Sequence, residues 1–227
     1  MGNVTNVFRT GFSLFLVGLL GAVLISCQKD DEGTTPASQG NGGGNGSGAF
    51  QLNVTVDGVA HGYTDGVSNY HIVPGAQGDC DMPITTCTSY QECVATHEVM
   101  VEDRWKIGLV KTFTGLQGSS PSRDLINTMA AVGTRPFGKF LVVNSQLEKA
   151  DGARIEWTDP TGMKWSTDRG SEDQAGSSFE ITESVATGAE NGARYRFRCT
   201  FNCKLYNDAG QSKTVTGGGL FGPLLVD

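Results

Sequence analysis

The stretch RYRFRCTFNCKLY, residues 194–206, decides the fold, because its side chains alternate in character along its whole length. One face would carry Tyr195, Phe197, Cys199, Phe201, Cys203 and Leu205. The other face would carry Arg194, Arg196, Arg198, Thr200, Asn202 and Lys204. This two-residue period predicts a long β-strand with one buried face. Turn residues follow at 207–210, so we expect the chain to return as a second strand over about residues 211–216.

The same alternation recurs in shorter stretches on both sides of this hairpin. Apolar and polar residues alternate over residues 50–57, and Asp57-Gly58 suits a two-residue type I′ turn. The implied register pairs Val56 with Val59, Val54 with His61 and Leu52 with Tyr63, which turns His61 toward the core. Further strands are predicted over about residues 104–113, 153–158, 163–167, 179–183 and 220–226.

A single helix is predicted, with Ser120 as its N-cap, Pro121 at its first position and Gly133 just past its end. Many short strands, frequent turns and one short helix are typical of an all-β fold. We therefore expect an antiparallel β-sandwich, or a partly open barrel.

Residues 1–26 have the features of an export signal. Arg9 supplies positive charge ahead of the apolar run GFSLFLVGLLGAVLI, residues 11–25. This run is shorter than the about 20 residues that a transmembrane helix needs, so we expect it to be cleaved. It ends in Leu24-Ile25-Ser26-Cys27, which resembles a bacterial lipobox; the alternative is an ordinary signal peptide with a chance cysteine. The lipobox implies an acylated Cys27 that anchors the chain to a membrane.

The next residues, QKDDE at 28–32, are similar to the export tag of surface-exposed lipoproteins of the Bacteroidota; the alternative is a solvated charge run. The resemblance implies an outer-membrane anchor with the protein facing the cell exterior. Residues 33–48, GTTPASQGNGGGNGSG, carry too little apolar surface to fold. We therefore assign residues 27–48 to the lipidated cysteine and a flexible tether, and residues 49–227 to one β-sandwich domain.

The last fifty or so residues resemble a group of small Bacteroidota lipoproteins. The resemblance is carried by Phe-x-Ile-Thr at 179–182, by Asn-Asp-x-Gly at 207–210 and by Gly-x-Phe at 219–221. These relatives have β-rich domains of unknown function, so the resemblance implies a fold and brings no catalytic residues.

Five cysteines follow Cys27: Cys80, Cys87, Cys93, Cys199 and Cys203. An exported location permits disulfides, and the sequence does not select among the ways of pairing them. Cys199 and Cys203 would lie about 13 Å apart on one strand and cannot bridge each other. If oxidised, they would reach a loop over residues 74–94 that holds the other three. The alternative is a metal site that adds His71 or His97, but the Cys-x6-Cys-x5-Cys spacing is unusual for zinc, so we predict disulfides and no metal or cofactor.

Two groups of residues are candidates for ligand binding. A turn over residues 159–162 would place Trp157 opposite Trp165. Exposed, the pair would form a stacking platform for a sugar; buried, it is a core pair, which the polar opposite face (Arg154, Glu156, Lys164 and Ser166) favours. The second group is the basic row Arg194, Arg196, Arg198 and Lys204. It would receive an anionic ligand, or more simply pair with Glu180 and Glu183 on a neighbouring strand.

An acidic loop over residues 168–174 is a third candidate, for Ca²⁺, although its spacing matches no standard loop and a solvated loop is the simpler interpretation. The formal net charge of −7 argues against nucleic-acid binding, which needs a basic surface. The sequence has three histidines and no recognisable catalytic motif. We therefore predict a non-catalytic binding module for a glycan or another extracellular ligand. The alternatives are an accessory subunit of an outer-membrane complex and, less favoured, a hydrolase.

Overall fold

The computed structural model of this chain describes residues 50–99, 102–186 and 195–221. The strands in these ranges are β1 (Gln51–Val56), β2 (Val59–Thr64), β3 (Tyr70–Cys80), β4 (Thr86–His97), β5 (Arg104–Thr114), β6 (Gly133–Arg135), β7 (Lys139–Val143), β8 (Gln146–Ala150), β9 (Gly152–Thr158), β10 (Lys164–Ser166), β11 (Ser178–Ala186), β12 (Tyr195–Tyr206) and β13 (Ser212–Phe221). A short helix, α1 (Arg123–Asn127), continues into a 3₁₀ turn (Thr128–Ala130).

The strands form an antiparallel, sandwich-like arrangement. The main sheet has the order β2-β1-β13-β12-β10-β9-β5-β4-β3, and β11 pairs with both β12 and β6. A single pairing, Ser166 with Tyr206, joins β10 to β12, and apolar side chains from both sides of this junction form one core. β7 and β8 form a separate hairpin. The predicted all-β sandwich with one short helix is confirmed, and within the described residues the sheet does not close into a barrel.

Two predicted hairpins are confirmed, and for β1 and β2 the predicted register is confirmed as well. Along β12 the side chains of Phe197, Cys199, Phe201, Cys203 and Leu205 are buried, and the strand pairs with β13 through a turn closed by the Gly210 amide donating to the Asn207 carbonyl. β1 and β2 pair as predicted, with Leu52 opposite Tyr63. Asp57 and Gly58 both have positive φ, 47° and 87°, as a type I′ turn requires.

The region predicted as a loop over residues 74–94 is instead a long hairpin of β3 and β4. This strand pair is not recognisable from the sequence. Because β4 is buried on both faces, its polar and apolar residues do not alternate with a two-residue period. Its buried polar residues are Thr88, Ser89, Gln91 and Glu92.

The helix and the C-terminal strand also differ from the prediction. The N-cap is Ser122, whose hydroxyl accepts from the Leu125 amide at 3.3 Å, and not Ser120; Gly133 begins β6. Residues 220–221 complete β13 and do not open a separate strand, and residues 222–226 of the predicted strand lie outside the described residues.

β9 is the most deeply buried strand of the sheet, with every residue buried. Ala153, Ile155 and Trp157 face the apolar core, as predicted. The polar opposite face is covered by the β7–β8 hairpin, whose Phe140 ring stacks on Tyr90 at 5.1 Å. Arg154, Glu156 and Ser166 are therefore buried as well, whereas Lys164 is exposed.

Candidate functional site

The two tryptophans predicted to face each other do so. Trp157 pairs with Trp165 across β9 and β10, and Gly162 takes the positive φ of 84° that the turn needs. Trp157 is 5% exposed and Trp165 is 6% exposed, so the pair belongs to the core. The exposed stacking platform considered from the sequence is therefore wrong.

The indole nitrogens of this pair are satisfied by carboxylates. Trp165 Nε1 donates to Asp159 Oδ2 at 2.9 Å, and Trp157 Nε1 donates to Asp103 Oδ1 at 3.1 Å. Asp103 also accepts from the hydroxyls of Tyr63 and Tyr70 at 2.9 and 3.0 Å. Burial, together with Asp103, raises the pKa of Tyr63 well above its ordinary value and that of Tyr70 to about 12, so both hydroxyls stay protonated and keep donating. With its oxygens occupied by these three donors, Asp103 orders the end of the sandwich.

The basic row on β12 is largely neutralised by neighbouring acids. Arg198 Nε lies 3.3 Å from Glu183 Oε2, which is the cross-strand pair predicted from the sequence, and Lys204 Nζ lies 3.1 Å from Asp173 Oδ2. Arg196 is half-buried on the same strand. Arg194 lies outside the described residues. Arg198 and Lys204 are thus paired with acids, whereas the described residues show no acidic partner for Arg196.

The five described cysteines form one disulfide, between Cys80 and Cys87, at opposed positions of β3 and β4. The bridges that oxidation of Cys199 and Cys203 would make to residues 74–94 are not formed: these two cysteines face the apolar core as buried thiols, and so does Cys93 of β4. Burial raises the pKa of Cys93 and Cys199 and brings that of Cys203 to about 12. Within the described ranges, no three metal-ligating side chains lie together. Cys27 lies outside those ranges.

The predicted acidic loop places its carboxylates against cations of the chain itself. Asp168 is 1% exposed and accepts from Arg154 Nε at 2.7 Å, and Glu172 lies 2.7 Å from Lys139 Nζ. Asp173 pairs with Lys204, as described above. These contacts leave the loop stabilised by ion pairs with its own neighbours.

Arg154 organises a buried polar network that sequence analysis missed. Besides Asp168, its guanidinium donates to Glu156 Oε2 at 2.8 Å and to the Tyr90 hydroxyl at 3.3 Å. Asp168 also accepts from Ser166 Oγ and from the Phe140 amide, which ties the β7–β8 hairpin to β9. Burial opposes the charge on Arg154, but these neighbours outweigh it and hold the pKa of its guanidinium above the ordinary value. We call Arg154, Glu156, Asp168 and Tyr90 the Arg154 network.

A cavity of about 420 Å³ lies where β5, β9 and the segment before β7 meet the 3₁₀ turn, and we call it the Arg135 cavity. Its floor is formed by buried residues, among them Leu109, Met129 and Gly152. Polar side chains on its rim are Lys111, Thr128, Thr134, Arg135 and Asp151. An apolar floor with a few convergent polar groups is the usual composition of a small-molecule site, and the volume is in the usual range.

The rim of this cavity carries two positively charged side chains, Lys111 and Arg135, and one negatively charged side chain, Asp151. Lys111 Nζ lies 2.6 Å from Asp151 Oδ2, and the Thr112 amide donates to the other carboxylate oxygen at 2.7 Å. Burial raises the pKa of Asp151, but these hydrogen bonds outweigh it and leave the pKa below its ordinary value. Within the described ranges, Arg135 donates to two main-chain carbonyls, those of Ala131 and Thr134, and to no side chain. Among the described residues no carboxylate neutralises Arg135, so the cavity carries a net positive charge.

Gly152 holds the wall that carries Arg135 against β9. Its φ is 144°, and a Cβ there would lie 2.4 Å from the Pro136 carbonyl oxygen. The close approach allows the Ala153 amide to donate to that oxygen at 2.8 Å, and the Gly138 amide to donate to the Ala153 carbonyl at 2.7 Å. A side chain at position 152 would separate the two segments and displace the Arg135 wall.

Comparison with known proteins identified no relative of this chain. A scan against protein-family models, a search of curated proteins and a search of solved structures each found no match. In the part of the chain that the structure describes, no helix has both the length and the apolar character needed to cross a membrane.

Sequence reasoning did not identify the rim of the Arg135 cavity. Lys111, Arg135 and Asp151 come from separate segments and belong to no motif. Only the antiparallel pairing of β5 with β9 and the contact of residues 136–138 with Ala153 bring them together.

Proposed function

We propose that this chain is a lipid-anchored outer-membrane protein, facing the cell exterior, whose β-sandwich is a non-catalytic binding module for a carboxylate-bearing saccharide. The observation that carries the proposal is the Arg135 cavity, in which an unneutralised guanidinium stands beside an apolar floor. The anchor at Cys27 and the outward orientation are supported by the lipobox and export-tag resemblances.

The composition of the Arg135 cavity favours this class of ligand. Arg135 offers a planar, permanently charged group that suits a carboxylate. Thr128, Thr134 and Asp151 offer hydroxyl and carboxylate oxygens to sugar hydroxyls on the same rim. Met129 and Leu109 make the floor of the cavity apolar, although each is almost fully buried. The cavity volume of about 420 Å³ accommodates one or two such rings.

The proposal is tested by comparing an acidic sugar with its neutral counterpart. The purified full-length chain, held in detergent, would be titrated by calorimetry with glucuronate and with glucose. We expect glucuronate to bind about tenfold to a hundredfold more tightly, since a hydrogen bond to a charged group contributes about 1.5–3 kcal/mol. Arg135→Gln should abolish this preference. Arg198→Gln, on the β12 face, is the matched control and should retain it.

Three results would contradict the proposal. Equal affinities for glucuronate and glucose would show that the charge of Arg135 does not select the ligand. A preference for glucuronate that survives Arg135→Gln would place the binding site elsewhere. The absence of saturable binding of either sugar at millimolar concentration would also count against a saccharide site.

A further inference from the structure

Four aromatic residues at one end of the sandwich are in contact with one another around a single carboxylate. We call these residues and the carboxylate the Asp103 cluster: Tyr63, Tyr70, Asp103, Trp105 and Trp157. The indole rings of Trp105 and Trp157, at paired positions of β5 and β9, stack at 5.2 Å with 14° between their planes. Trp105 Nε1 donates to the Tyr63 hydroxyl at 3.1 Å, and the rings of Tyr63 and Tyr70 lie 4.9 Å apart. Indole and phenol rings lose an electron more readily than the other side-chain rings, so the cluster places four oxidisable groups in contact.

These contacts lead from the core to the surface. Trp105 is fully buried and Tyr63 is 3% exposed, whereas Tyr70, the first residue of β3, is only partly buried. Trp157 is 5% exposed, so a small radical in solution reaches its edge. Tyr70 is therefore the ring of the cluster that solvent reaches most easily.

Asp103 lies where it can receive the proton that oxidation of these rings releases. An oxidised phenol or indole becomes strongly acidic, so a base that is already hydrogen-bonded to it assists the loss of the electron. Asp103 Oδ1 accepts from the Tyr63 hydroxyl at 2.9 Å and from Trp157 Nε1 at 3.1 Å. Asp103 Oδ2 accepts from the Tyr70 hydroxyl at 3.0 Å. One carboxylate therefore serves three oxidisable rings, and it can hold the released proton whichever of the three is oxidised.

We propose that the Asp103 cluster carries one-electron oxidation from the core tryptophans to Tyr70, where a reductant in solution reverses it. A radical oxidant takes one electron from Trp157, and the indole N–H proton passes to Asp103 Oδ1. Tyr70 then supplies an electron to the indole through the contacting rings, the proton on Oδ1 returns to Trp157 Nε1, and the phenol proton passes to Asp103 Oδ2. Trp157 is restored and a phenoxyl radical remains on Tyr70. A small one-electron reductant such as ascorbate reduces this radical, and Asp103 returns the proton to its oxygen.

The direction of transfer follows from the chemistry of the two rings. A phenoxyl radical is a weaker oxidant than an indolyl radical, so the electron moves from the phenol to the indole. Oxidation is thereby removed from tryptophans that are packed in the core, where chemical modification would disrupt the packing. The Asp103 cluster shares no residue with the lining of the Arg135 cavity, and its activity does not depend on saccharide binding.

Pulse radiolysis of the full-length chain in detergent tests this transfer. The azidyl radical generated by the pulse oxidises indoles in preference to phenols at neutral pH, and the indolyl and phenoxyl radicals have separate absorption bands. We expect the indolyl band to decay while the phenoxyl band rises, at one rate that does not change with the protein concentration. Added ascorbate should then remove the phenoxyl band.

Three variants identify the groups that take part. Asp103→Asn keeps the shape of the side chain but removes the base, so the transfer should slow by about a hundredfold, the usual contribution of a positioned proton acceptor. The double variant Tyr63→Phe/Tyr70→Phe removes both phenols and should leave the indolyl radical without intramolecular decay. Tyr206→Phe is the matched control, because Tyr206 is also buried but donates to the Asp173 carbonyl outside the cluster. This variant should transfer at the unsubstituted rate.

The stacked indoles of Trp105 and Trp157 provide a check on folding, because their near-UV circular dichroism reports whether a variant keeps its packing. Should the double variant lose this signal, Tyr70→Phe alone takes its place at the partly buried end of the cluster. The phenoxyl radical would then remain on Tyr63, which is 3% exposed. In the presence of ascorbate it should therefore outlast the phenoxyl radical of the unsubstituted chain.

The proposal would be overturned by an indolyl radical that persists in the unsubstituted chain, or by a transfer rate that rises with the protein concentration. It would also be overturned by an unchanged rate in folded Asp103→Asn or in the folded double variant, or by loss of the transfer in Tyr206→Phe. Arg135→Gln should leave the transfer unchanged, so failure of the saccharide proposal and failure of this one are distinguishable.

Discussion

Arg154→Met would measure how strongly the fold depends on the Arg154 network. The substitution keeps most of the side-chain volume but removes the cation that faces Asp168, which is 1% exposed, and Glu156, which is 8% exposed. Asp168 would keep its bonds from Ser166 and the Phe140 amide. Neither of these donors carries a positive charge, so both carboxylates would be left buried without their counter-ion.

The expected loss follows from the burial of this pair. Removing one partner of a buried ion pair costs about 3–5 kcal/mol, a large part of the about 5–15 kcal/mol by which a typical domain is stable. With a urea dependence of about 2 kcal/mol per molar, the midpoint of unfolding should fall by about 2 M. Urea unfolding of the full-length chain, followed by tryptophan fluorescence with the disulfide intact, provides this midpoint.

Arg198→Met is the matched control, because it removes the same side chain from a pair in which Arg198 and Glu183 are each 47% exposed. Exposed pairs contribute about 0–1 kcal/mol, so the midpoint should fall by less than about 0.5 M. The reasoning is refuted if the two variants differ by less than about 1 kcal/mol while their urea dependences match that of the unsubstituted chain.

Two further predictions concern a turn and the thiols. Asp159 accepts hydrogen bonds from Thr161, Met163 and Trp165; burial raises its pKa, but these bonds outweigh burial and lower it. A lowered carboxyl pKa stabilises the fold above the unfolded value of about 3.9 and ceases to do so as the pH falls through the folded value. Asp159→Asn should therefore lower the free energy of unfolding by about 1.5 kcal/mol at pH 7. The difference between the variant and the unsubstituted chain should narrow below about pH 4. A difference that is independent of pH would contradict this prediction. In a thiol-reagent assay, the native chain should not react. The chain that is denatured but not reduced should expose three reactive thiols, those of Cys93, Cys199 and Cys203. A fourth reactive thiol would show that Cys27 is not acylated.

The strand that the sequence predicts most clearly, β12, has one face in solvent. In β12, Arg198, Thr200 and Asn202 remain in solvent, so the buried residues between them stand out as a two-residue period. β4 has no such contrast, because Glu92 and Ser89 lie on opposite faces and both are buried. The second face of β4 is covered by the β7–β8 hairpin, which is distant in sequence. The alternation of residues along one strand does not show that a distant hairpin will bury it.

The disulfide illustrates the same difficulty. Cys80 and Cys87 are opposed only because β3 and β4 pair in one register, and that pairing was not visible in the sequence. The inward direction of Cys199 and Cys203 was predicted correctly from their period. This direction does not by itself decide whether they bridge residues 74–94, because Cys93 of β4 lies in the same core.

β9 connects the stability of the fold with the proposed binding site. Its second face carries Arg154, and its first residue, Gly152, permits the close approach of the segment that bears Arg135. The same segment leads into β7, which Asp168 holds through the Phe140 amide, so the wall of the cavity is fixed by contacts in which Arg135 takes no part. Among the described residues, Arg135 donates to the carbonyls of Ala131 and Thr134 and pairs with no carboxylate, so its replacement leaves none of the described carboxylates buried without a partner. The charge that would select the ligand can therefore be removed without unfolding the sandwich, which is why a loss of glucuronate binding in Arg135→Gln would report on recognition and not on stability.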